Sequence, residues 1–270
     1  MTGPRTFELF LNRGAPDDEE VARWAANEGV ACANLGPGEL RAESCGRGCF
    51  EHIHGVSHQP DGRVKGILGP TSAQGGEFLE IIDRIGEPTI VEPSQRLRSH
   101  RLDELQLRYV DSSPVATLPF PDSSFDPVFC LSVLHRIPKV SAQVRELARV
   151  LSPEGHRLAH EPTVPLGYWT RSGNAGVTKR ECGIALSLLR STLADEDLLV
   201  EYEALRDFPF RQRPRRGYDS VWSVRLDRLL SRATAWNYRY NATSAVQKIR
   251  PTGSFFVVNK RCSPASVAAP

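Results

Sequence analysis

The strongest constraint on this 270-residue chain is a change of pattern near Arg63, after which short apolar runs alternate with segments of helical periodicity. Short apolar runs of this kind predict strands, and apolar residues spaced three and four apart predict helices. The predicted strands are 64–68, 89–92, 107–110, 126–131 and 157–160, and the predicted helices between them are 77–85, 94–105 and 141–151. Strands that alternate with helices over short connections imply a parallel sheet with right-handed crossovers and helices on both faces.

The pattern continues toward the C-terminus with a helix and two late strands. Thr178 and Glu181 form a capping box, which predicts a helix from there to about Leu193. A strand at 198–205, a helix at 221–233 and a last strand at 254–258 follow. We expect the two late strands to complete the same sheet, so the predicted fold is α/β: Rossmann-like and doubly wound, with a mainly parallel sheet and a C-terminal antiparallel strand pair.

Composition divides the chain into three parts. Residues 1–62 are predicted to be an N-terminal extension, with one short helix and a loop rich in Gly, Pro, Ser and His. Residues 63–261 are predicted to form the Rossmann-like domain, which carries an Arg-rich insertion at about 206–250. The small, uncharged residues 262–270 are predicted to be a flexible tail.

The overall composition is that of a globular protein, with 40% hydrophobic and 24% charged residues. No apolar stretch is long enough to span a membrane, and the acidic run from Asp17 to Glu20 stands where a secretory leader needs apolar residues. The six cysteines are scattered rather than arranged as a disulfide framework. We therefore expect a cytoplasmic protein.

Charge is concentrated near the C-terminus, where residues 206–261 hold 13 arginines and lysines against three aspartates. Such a region is expected either to contact an anionic partner, such as a phosphate, a phospholipid surface or nucleic acid, or to present solvated arginines on amphipathic helices. No base-recognition motif predicts the nucleic-acid partner. The helix from Val221 interleaves Trp222, Leu226 and Leu229 with arginines. It is expected either to pack on the sheet with its arginines outward or to lie on an anionic membrane.

Ligands of open α/β sheets bind beyond the carboxyl ends of the strands, near the point where the strand order reverses. Four places meet this condition, and they contain the residues that we select as cofactor-binding. These residues are Gly75 and Gly76 in the turn after the first strand, Glu92 after the second, Asp111 and Ser112 after the third, and Cys130 and Leu131, followed by Ser132, after the fourth. Glycines let a backbone approach a ligand closely, and a carboxylate there accepts two hydrogen bonds from a ribose diol.

The residues from Leu118 to Pro162 read LPFPDSSFDPVFCLSVLHRIPKVSAQVRELARVLSPEGHRLAHEP. This run resembles the central block of class I S-adenosylmethionine-dependent methyltransferases, with its LPFPD-SFD strand, VLHHI-like segment, ARVLKPGG helix end and strand ending in EP. GGEFLEIIDRIGEPTIVEPS is similar to the first helix and second strand of the same family. The last strand, in QKIRPTGSFFVVNK, more weakly resembles the end of methyltransferases of glycan and lipid-linked pathways.

The resemblance implies a methyltransferase that uses S-adenosylmethionine and acts on a small-molecule, glycan or lipid-linked acceptor. It implies that Gly75, Gly76 and Glu92 hold the cofactor, with Asp111 and the end of the fourth strand near adenine. His135 occupies a position where related O-methyltransferases often carry a basic histidine, which would accept the proton of a hydroxyl acceptor. The alternative for His135 is a structural role, capping the segment and hydrogen bonding to backbone.

The glycine-rich motif departs from that of the family. Its first strand usually ends in an acid followed by GxGxG, whereas this chain reads LGPTSAQGG from Leu68 to Gly76. The acid is absent and only the last glycines remain. This departure motivates an alternative function, a catalytically inactive protein of methyltransferase fold that serves as a binding or scaffold subunit.

The N-terminal extension contains Cys45, Cys49, His52 and His54, which are residue types that bind zinc. Their spacing lacks the paired CxxC knuckles of a standard zinc site. We therefore predict no metal, and the role of these four residues is left open.

Overall fold

The computed structural model describes Glu19 and residues 66–70, 74–93, 95–111, 117–137, 139–153, 155–165, 183–209 and 221–261. Several features named above lie outside these described residues. They are the N-terminal helix and loop apart from Glu19, the cysteine and histidine residues at 45–54, Ser112, the capping box at Thr178 and Glu181, and the tail.

The described residues form the following strands and helices. The strands are β1 Leu68–Pro70, β2 Thr89–Val91, β3 Arg101–Leu102, β4 Leu105–Gln106, β5 Arg108–Val110, β6 Val128–Leu131, β7 His156–Pro162, β8 Leu198–Arg206 and β9 Gly253–Lys260. The α-helices are α1 Val140–Val150, α2 Leu186–Asp195 and α3 Val221–Ala233. Short 3-10 helices cover Gly76–Arg84, Gln95–Leu97, Leu134–Arg136, Ala235–Asn237 and Val246–Lys248.

Seven of these strands form one sheet in the order β5-β2-β1-β6-β7-β9-β8. The five strands from β5 to β7 pair in parallel, whereas β9 runs antiparallel to both β7 and β8. This arrangement confirms the predicted mainly parallel sheet with an antiparallel pair at its C-terminal side. Because β8 is antiparallel to β9, it runs in the same direction as β7, so the end of β8 lies at the carboxyl edge of the sheet.

The central strands β1, β2 and β6 are buried on both faces, which is why they read as continuous apolar runs rather than alternating ones. On one face, Val128 and Cys130 of β6 pack with Val144 and Leu147 of α1. On the other face, Phe129 of β6 packs with Phe78 and Ile81 of the 3-10 helix Gly76–Arg84, and the Phe78 and Phe129 rings meet edge to face with centroids 5.6 Å apart. The sheet therefore has one apolar layer on each side.

Arg149 of α1 ties the LPFPD segment to the helix. Its guanidinium donates to the carbonyls of Leu118 and Phe120 at 3.0 and 2.8 Å and to Asp122 at 2.7 Å. Glu146, one turn earlier, accepts from Arg149 at 2.9 Å and from the Leu118 N–H at 3.0 Å. The LPFPD segment is thus held against the ARVL end of α1 by the hydrogen bonds of Arg149 and Glu146, and we call this set of contacts the clamp.

The predicted helix at 94–105 is wrong. The structure has only the short 3-10 helix Gln95–Leu97 there, followed by the antiparallel pair of β3 and β4. Asp103 has a φ of 50°, so the chain turns instead of continuing as a helix. Leu102 and Leu105 are cross-strand partners, so the three-residue spacing that resembled a helical period belongs to a tight turn between two strands.

Helix α3 packs on the sheet through a face that differs from its apolar stripe. Val224, Asp227 and Ser231 are fully buried, whereas Trp222 and Leu229 are 75% and 64% exposed. The buried face is fixed by a pair of charges, since Asp227 Oδ2 lies 3.1 Å from the buried guanidinium of Arg206 at the end of β8. Among the described residues, no helix has both the length and the apolarity needed to cross a membrane.

Candidate functional site

The sheet order places the expected ligand crevice between β1 and β6. From β1 the chain proceeds to β2 and β5 on one side, and then crosses to β6 and β7 on the other. This reversal is the switch point at which α/β sheets bind ligands. The turn before Gly76, Glu92 at the end of β2 and Ser132 at the end of β6 therefore share one edge of the sheet.

Gly75 forms the turn that leads into the 3-10 helix. Its φ of 74° belongs to the left-handed region, and its carbonyl accepts the N–H of Phe78 at 2.9 Å. A Cβ at this position would lie 3.1 Å from Phe78 Cδ2 and 3.3 Å from Ile90 Cδ1. Both the backbone angle and the core packing thus require glycine here, while Gly76 is buried as the first residue of the helix.

Glu92 follows β2 and is only 3% exposed. Its backbone N–H donates to the Val110 carbonyl at 3.3 Å, which holds the residue against the end of β5. The pKa of nearby Tyr109 is raised, chiefly by burial, and the carboxylates of Glu92 and Glu77 add to that rise. Glu92 and Glu77 therefore bring two buried acidic side chains to the same end of the sheet.

Arg98 is a site residue that the sequence analysis did not select. Its guanidinium donates to the backbone carbonyl of Glu92 and lies 2.6 Å from Asp111 Oδ1. The same group stacks over the Tyr109 ring, 5.5 Å from its centroid. Arg98 thereby joins the ends of β2 and β5. Nothing in its sequence neighbourhood signals this role, because it follows the predicted site by six residues within a mispredicted helix.

The remaining predicted cofactor residues differ in their exposure. Asp111 has 83% of its side chain exposed and pairs with Arg98. The side chains of Cys130 and Leu131 lie instead in the two apolar layers of the core. Burial raises the pKa of the Cys130 thiol to about 12, and the adjacent Arg157 guanidinium offsets part of that rise. Only the backbone of Cys130 and Leu131 is therefore available to a ligand.

His135, the predicted base, lies in the 3-10 helix Leu134–Arg136 and is 3% exposed. Its Nδ1 is 2.9 Å from Glu161 Oε2, and Glu161 is fully buried near the end of β7. The same carboxylate accepts the N–H groups of Val133 at 2.9 Å and Leu134 at 2.8 Å. Glu161, which the sequence analysis recorded only as part of the EP motif, therefore fixes the position of His135.

The pKa of Glu161 is lowered despite its burial. Burial alone would raise the value, but the hydrogen bond and charge of His135, together with the N–H groups of Leu134 and Val133, outweigh it. The carboxylate is thus held ionised inside the protein. Within the described part of the chain, no cluster of three or more His, Cys, Asp or Glu residues has the arrangement of a metal site.

Comparison with protein families identifies this part of the molecule. Residues 73–159 match the model of the methyltransferase domain family. This part of the chain is similar to a methyltransferase domain. The match spans the Gly75 turn, Glu92, the switch point and most of β7, so the domain that the sequence resembled is the one that holds the site. A search of the curated proteins found no match for the chain.

Solved structures share the fold of the methyltransferase domain at low identity. A chain in the complex of the Haloferax volcanii Trm112 methyltransferase activator with a protein described as a methyltransferase is 14% identical, with a TM-score of 0.56 over 90% of this chain and 98% of that one. The S-adenosylmethionine-dependent methyltransferase of Methanosarcina mazei is 14% identical, with a TM-score of 0.51 over 77% and 97%. The [4+2]-cyclase SpnF is 15% identical, with a TM-score of 0.51 over 80% of each chain.

Proposed function

We propose that this protein is an S-adenosylmethionine-dependent methyltransferase that acts on a small-molecule, glycan or lipid-linked acceptor. The observation that carries the proposal is the buried carboxylate of Glu92, which ends β2 beside the switch point of a methyltransferase domain. A carboxylate at this place is suited to accept both hydroxyls of a ribose.

The residues around Glu92 fit an adenosyl cofactor. The left-handed turn at Gly75 brings the buried backbone of Gly76 to the start of a helix, where N–H groups favour polar and anionic groups. Arg98 holds the Glu92 backbone and Asp111 in a fixed relation. We therefore assign Glu92 to the ribose, the Gly75–Gly76 turn to the amino-acid end, and Asp111 with the backbone of Cys130 and Leu131 to the adenine side.

The cofactor, when bound, would supply an activated methyl group, and the protein would orient the acceptor and exclude water. The buried 3-10 helix that carries His135 would form one wall of the acceptor side. His135 has its Nδ1 committed to Glu161, so a base function for it would have to use Nε2.

The fold alone does not determine the chemistry, since one structural neighbour is a [4+2]-cyclase. The alternative of a catalytically inactive binding protein is favoured by the absent acid after β1, where the strand ends Leu68-Gly69-Pro70. Methyl transfer from labelled S-adenosylmethionine would exclude the inactive alternative, and absence of cofactor binding would favour it.

Isothermal titration of the full chain with S-adenosylhomocysteine tests the proposal. We expect binding in wild type and a loss of about 10–100-fold in affinity for Glu92→Ala, since hydrogen bonds to a charged group contribute about 1.5–3 kcal/mol. The matched control is Glu87→Ala, an exposed acid just before β2, which should leave affinity unchanged. Absence of binding at about 1 mM ligand would reject the proposal.

We also propose that α3 contacts an anionic surface. Its solvent side presents Trp222, Leu226 and Leu229 together with exposed Arg225 and Arg228. Apolar side chains flanked by arginines are the pattern of helices that lie on anionic lipid. Such contact would bring the enzyme to a lipid-linked acceptor.

A further inference from the structure

Three polar side chains from distant parts of the sequence meet at the carboxyl edge of the sheet. Ser132 follows β6, His160 lies in β7 and Asp207 follows β8. Ser132 Oγ is 3.2 Å from His160 Nδ1, and His160 Nε2 is 2.7 Å from Asp207 Oδ2. These contacts place a hydroxyl, an imidazole and a carboxylate in one continuous chain of hydrogen bonds.

The carboxylate determines how the chain of hydrogen bonds is polarised. An ionised carboxylate can only accept, so His160 donates its Nε2–H to Asp207. Nδ1 then carries the lone pair and accepts the hydroxyl proton of Ser132. A serine polarised in this way can receive a proton from a bound molecule while it passes its own to the imidazole, and the Asp207 carboxylate stabilises the imidazolium that results.

The backbone is shaped to hold this arrangement. Ser132 and Asp207 have φ angles of 57° and 60°, in the left-handed region that side chains other than glycine rarely adopt. Positions of this kind cluster at functional sites, where the surrounding structure must stabilise them. Gly253 of β9 lies against the hydrogen-bonded side chains of His160 and Asp207. A Cβ at Gly253 would overlap Asp207 Oδ2 and lie 3.1 Å from His160 Nε2.

Asp207 is positioned by two further elements. Its carbonyl accepts the Thr252 hydroxyl at 2.7 Å, and its N–H donates to Asp227 of α3 at 3.3 Å. Asp227 also accepts the Phe208 N–H at 2.7 Å and pairs with the buried Arg206. The charged face of α3 therefore supports the carboxylate that orients His160.

The surroundings of Ser132 favour proton transfer over acyl transfer. A serine nucleophile requires N–H groups that stabilise an oxyanion. The N–H groups of Val133 and Leu134 are committed to Glu161, and the N–H of Ser132 donates to the His160 carbonyl at 2.6 Å. The backbone next to Ser132 thus offers no oxyanion site, although its hydroxyl is polarised.

We infer that Ser132, His160 and Asp207 form a proton relay for a hydroxyl acceptor, which makes the protein an O-methyltransferase; the inference rests on the proposed function. Ser132 and His160 lie on the opposite side of the switch point from Glu92. Because Glu92 is assigned to the cofactor, we place the acceptor on the side of Ser132 and His160. The acceptor O–H bond breaks, its proton passes to Ser132 Oγ, and the Ser132 proton passes to His160 Nδ1. The acceptor oxygen bonds to the methyl carbon of S-adenosylmethionine, and the electron pair of the broken carbon–sulfur bond stays on sulfur.

The first test measures the tautomer of His160 and needs no acceptor molecule. Long-range ¹⁵N–¹H NMR of histidine-labelled full-length protein distinguishes the two imidazole tautomers, and the His160 signals are assigned by their loss in His160→Gln. We expect the Nε2–H tautomer in wild type and a loss of this fixed tautomer in Asp207→Asn. An Nδ1–H tautomer, or a tautomer that is indifferent to Asp207→Asn, would overturn the inference.

The second test uses S-adenosylmethionine with a ¹³C-labelled methyl group and a small-metabolite extract, with products read by the ¹³C shift of the methyl. We expect an O-methyl product, formed at least about 100-fold more slowly by Ser132→Ala and His160→Gln. Affinity for S-adenosylhomocysteine should remain within about twofold of wild type. His156→Gln is the matched control, a histidine of the same strand that contacts Glu201 at the opposite end.

The outcomes separate the two proposals. Failure of wild type to bind S-adenosylhomocysteine rejects the proposed function itself. Binding with only N-methyl product, with no transfer, or with undiminished transfer by both relay variants rejects the relay while leaving cofactor binding intact. If His160→Gln fails to fold, Ser132→Ala, which removes a single half-buried hydroxyl, decides the rate test.

Discussion

The imidazole of His135 and the carboxylate of Glu161 form a buried pair in which Nδ1 and Oε2 are 2.9 Å apart. Because Glu161 also accepts backbone N–H groups of the segment that carries His135, it acts as the anchor of that segment. This explains physically why a strand ending in EP and a VLHR segment occur together in the sequence: one supplies the carboxylate, the other the donors.

Removal of the Glu161 charge should destabilise the protein strongly. Removing a buried ionised carboxylate costs about 3–5 kcal/mol, because the buried donors of Val133, Leu134 and His135 lose their charged acceptor. We expect Glu161→Gln to lower the free energy of unfolding by about this amount in urea titrations at pH 7. Glu196→Gln, which removes the partner of the exposed Arg145, should cost about 0–1 kcal/mol. Equal losses in the two variants would contradict the anchoring role.

The same pair should make stability depend on pH. The pKa of Glu161 is lower in the folded protein than its ordinary value, so its stabilising contribution is complete above the unfolded pKa of about 4.3. That contribution is lost as pH falls through the lower folded pKa. The difference between wild type and Glu161→Gln should therefore narrow below about pH 4 in urea titrations. A difference that stays constant with pH would contradict this assignment.

Gly75→Ala should reduce both stability and cofactor affinity. The substitution forces a side chain into a φ of 74° and against Phe78 and Ile90, which costs about 1–2 kcal/mol per residue in the left-handed region. Thermal unfolding and S-adenosylhomocysteine titration measure the two effects. Gly86→Ala, at a position with no atom within 4 Å of the added Cβ, is the control that should change neither.

Arg149→Lys should weaken the clamp on the LPFPD segment. A lysine ammonium cannot reproduce the forked contacts that Arg149 makes with Leu118, Phe120 and Asp122. We expect a loss of about 1–3 kcal/mol in urea unfolding. Arg145→Lys, on the exposed side of the same helix, should be nearly neutral. If the two variants are equally stable, the clamp contributes nothing measurable.

Cys130 should resist thiol reagents in the folded protein. Burial raises its pKa to about 12, so the thiolate that reacts is scarce at pH 8 and the sulfur is shielded from solvent. Iodoacetamide labelling followed by site-resolved mass spectrometry should show modification of Cys130 only after addition of denaturant. Rapid labelling of native protein would contradict the burial.

Helix α3 should bind vesicles that contain phosphatidylserine and leave neutral phosphatidylcholine vesicles unbound. Binding should shift the fluorescence of the exposed Trp222 to the blue and weaken with salt, since exposed charges are screened. Leu229→Ser should reduce co-sedimentation. Leu199→Ser, a substitution of an exposed leucine on β8, should not. Equal binding to both vesicle types would reject an electrostatic contact.

The sequence predicted the elements that are buried and regular. The strands at 89–92 and 198–205 and the helix at 221–233 agree with β2, β8 and α3 to within one residue at each end. In each of these segments the apolar or helical pattern is not interrupted by a turn. The 94–105 segment was wrong because a turn at Asp103 and a leucine pair across it mimic a helical spacing. Local periodicity could not distinguish these two arrangements.

Glu92 was selected from its place at the end of a strand, and such places can be located in a sequence. The relay could not be selected in this way. Ser132 and His160 are 28 residues apart, and His160 and Asp207 are 47 apart, so only the sheet order brings them together. The contact between His160 and Asp207 also depends on the position of β9 between β7 and β8. The sequence predicted a late antiparallel strand pair, but it did not predict this strand order.

The position of β9 has a consequence for the folding of the protein during its synthesis on the ribosome. β8 is made well before β9, which is the one described strand that pairs with it. While synthesis continues through α3, the nascent chain therefore holds β8 without that described partner, and an unpaired strand edge is open to association with other chains. Completion of Gly253–Lys260 closes that gap and assembles His160, Asp207 and Gly253 in the same step.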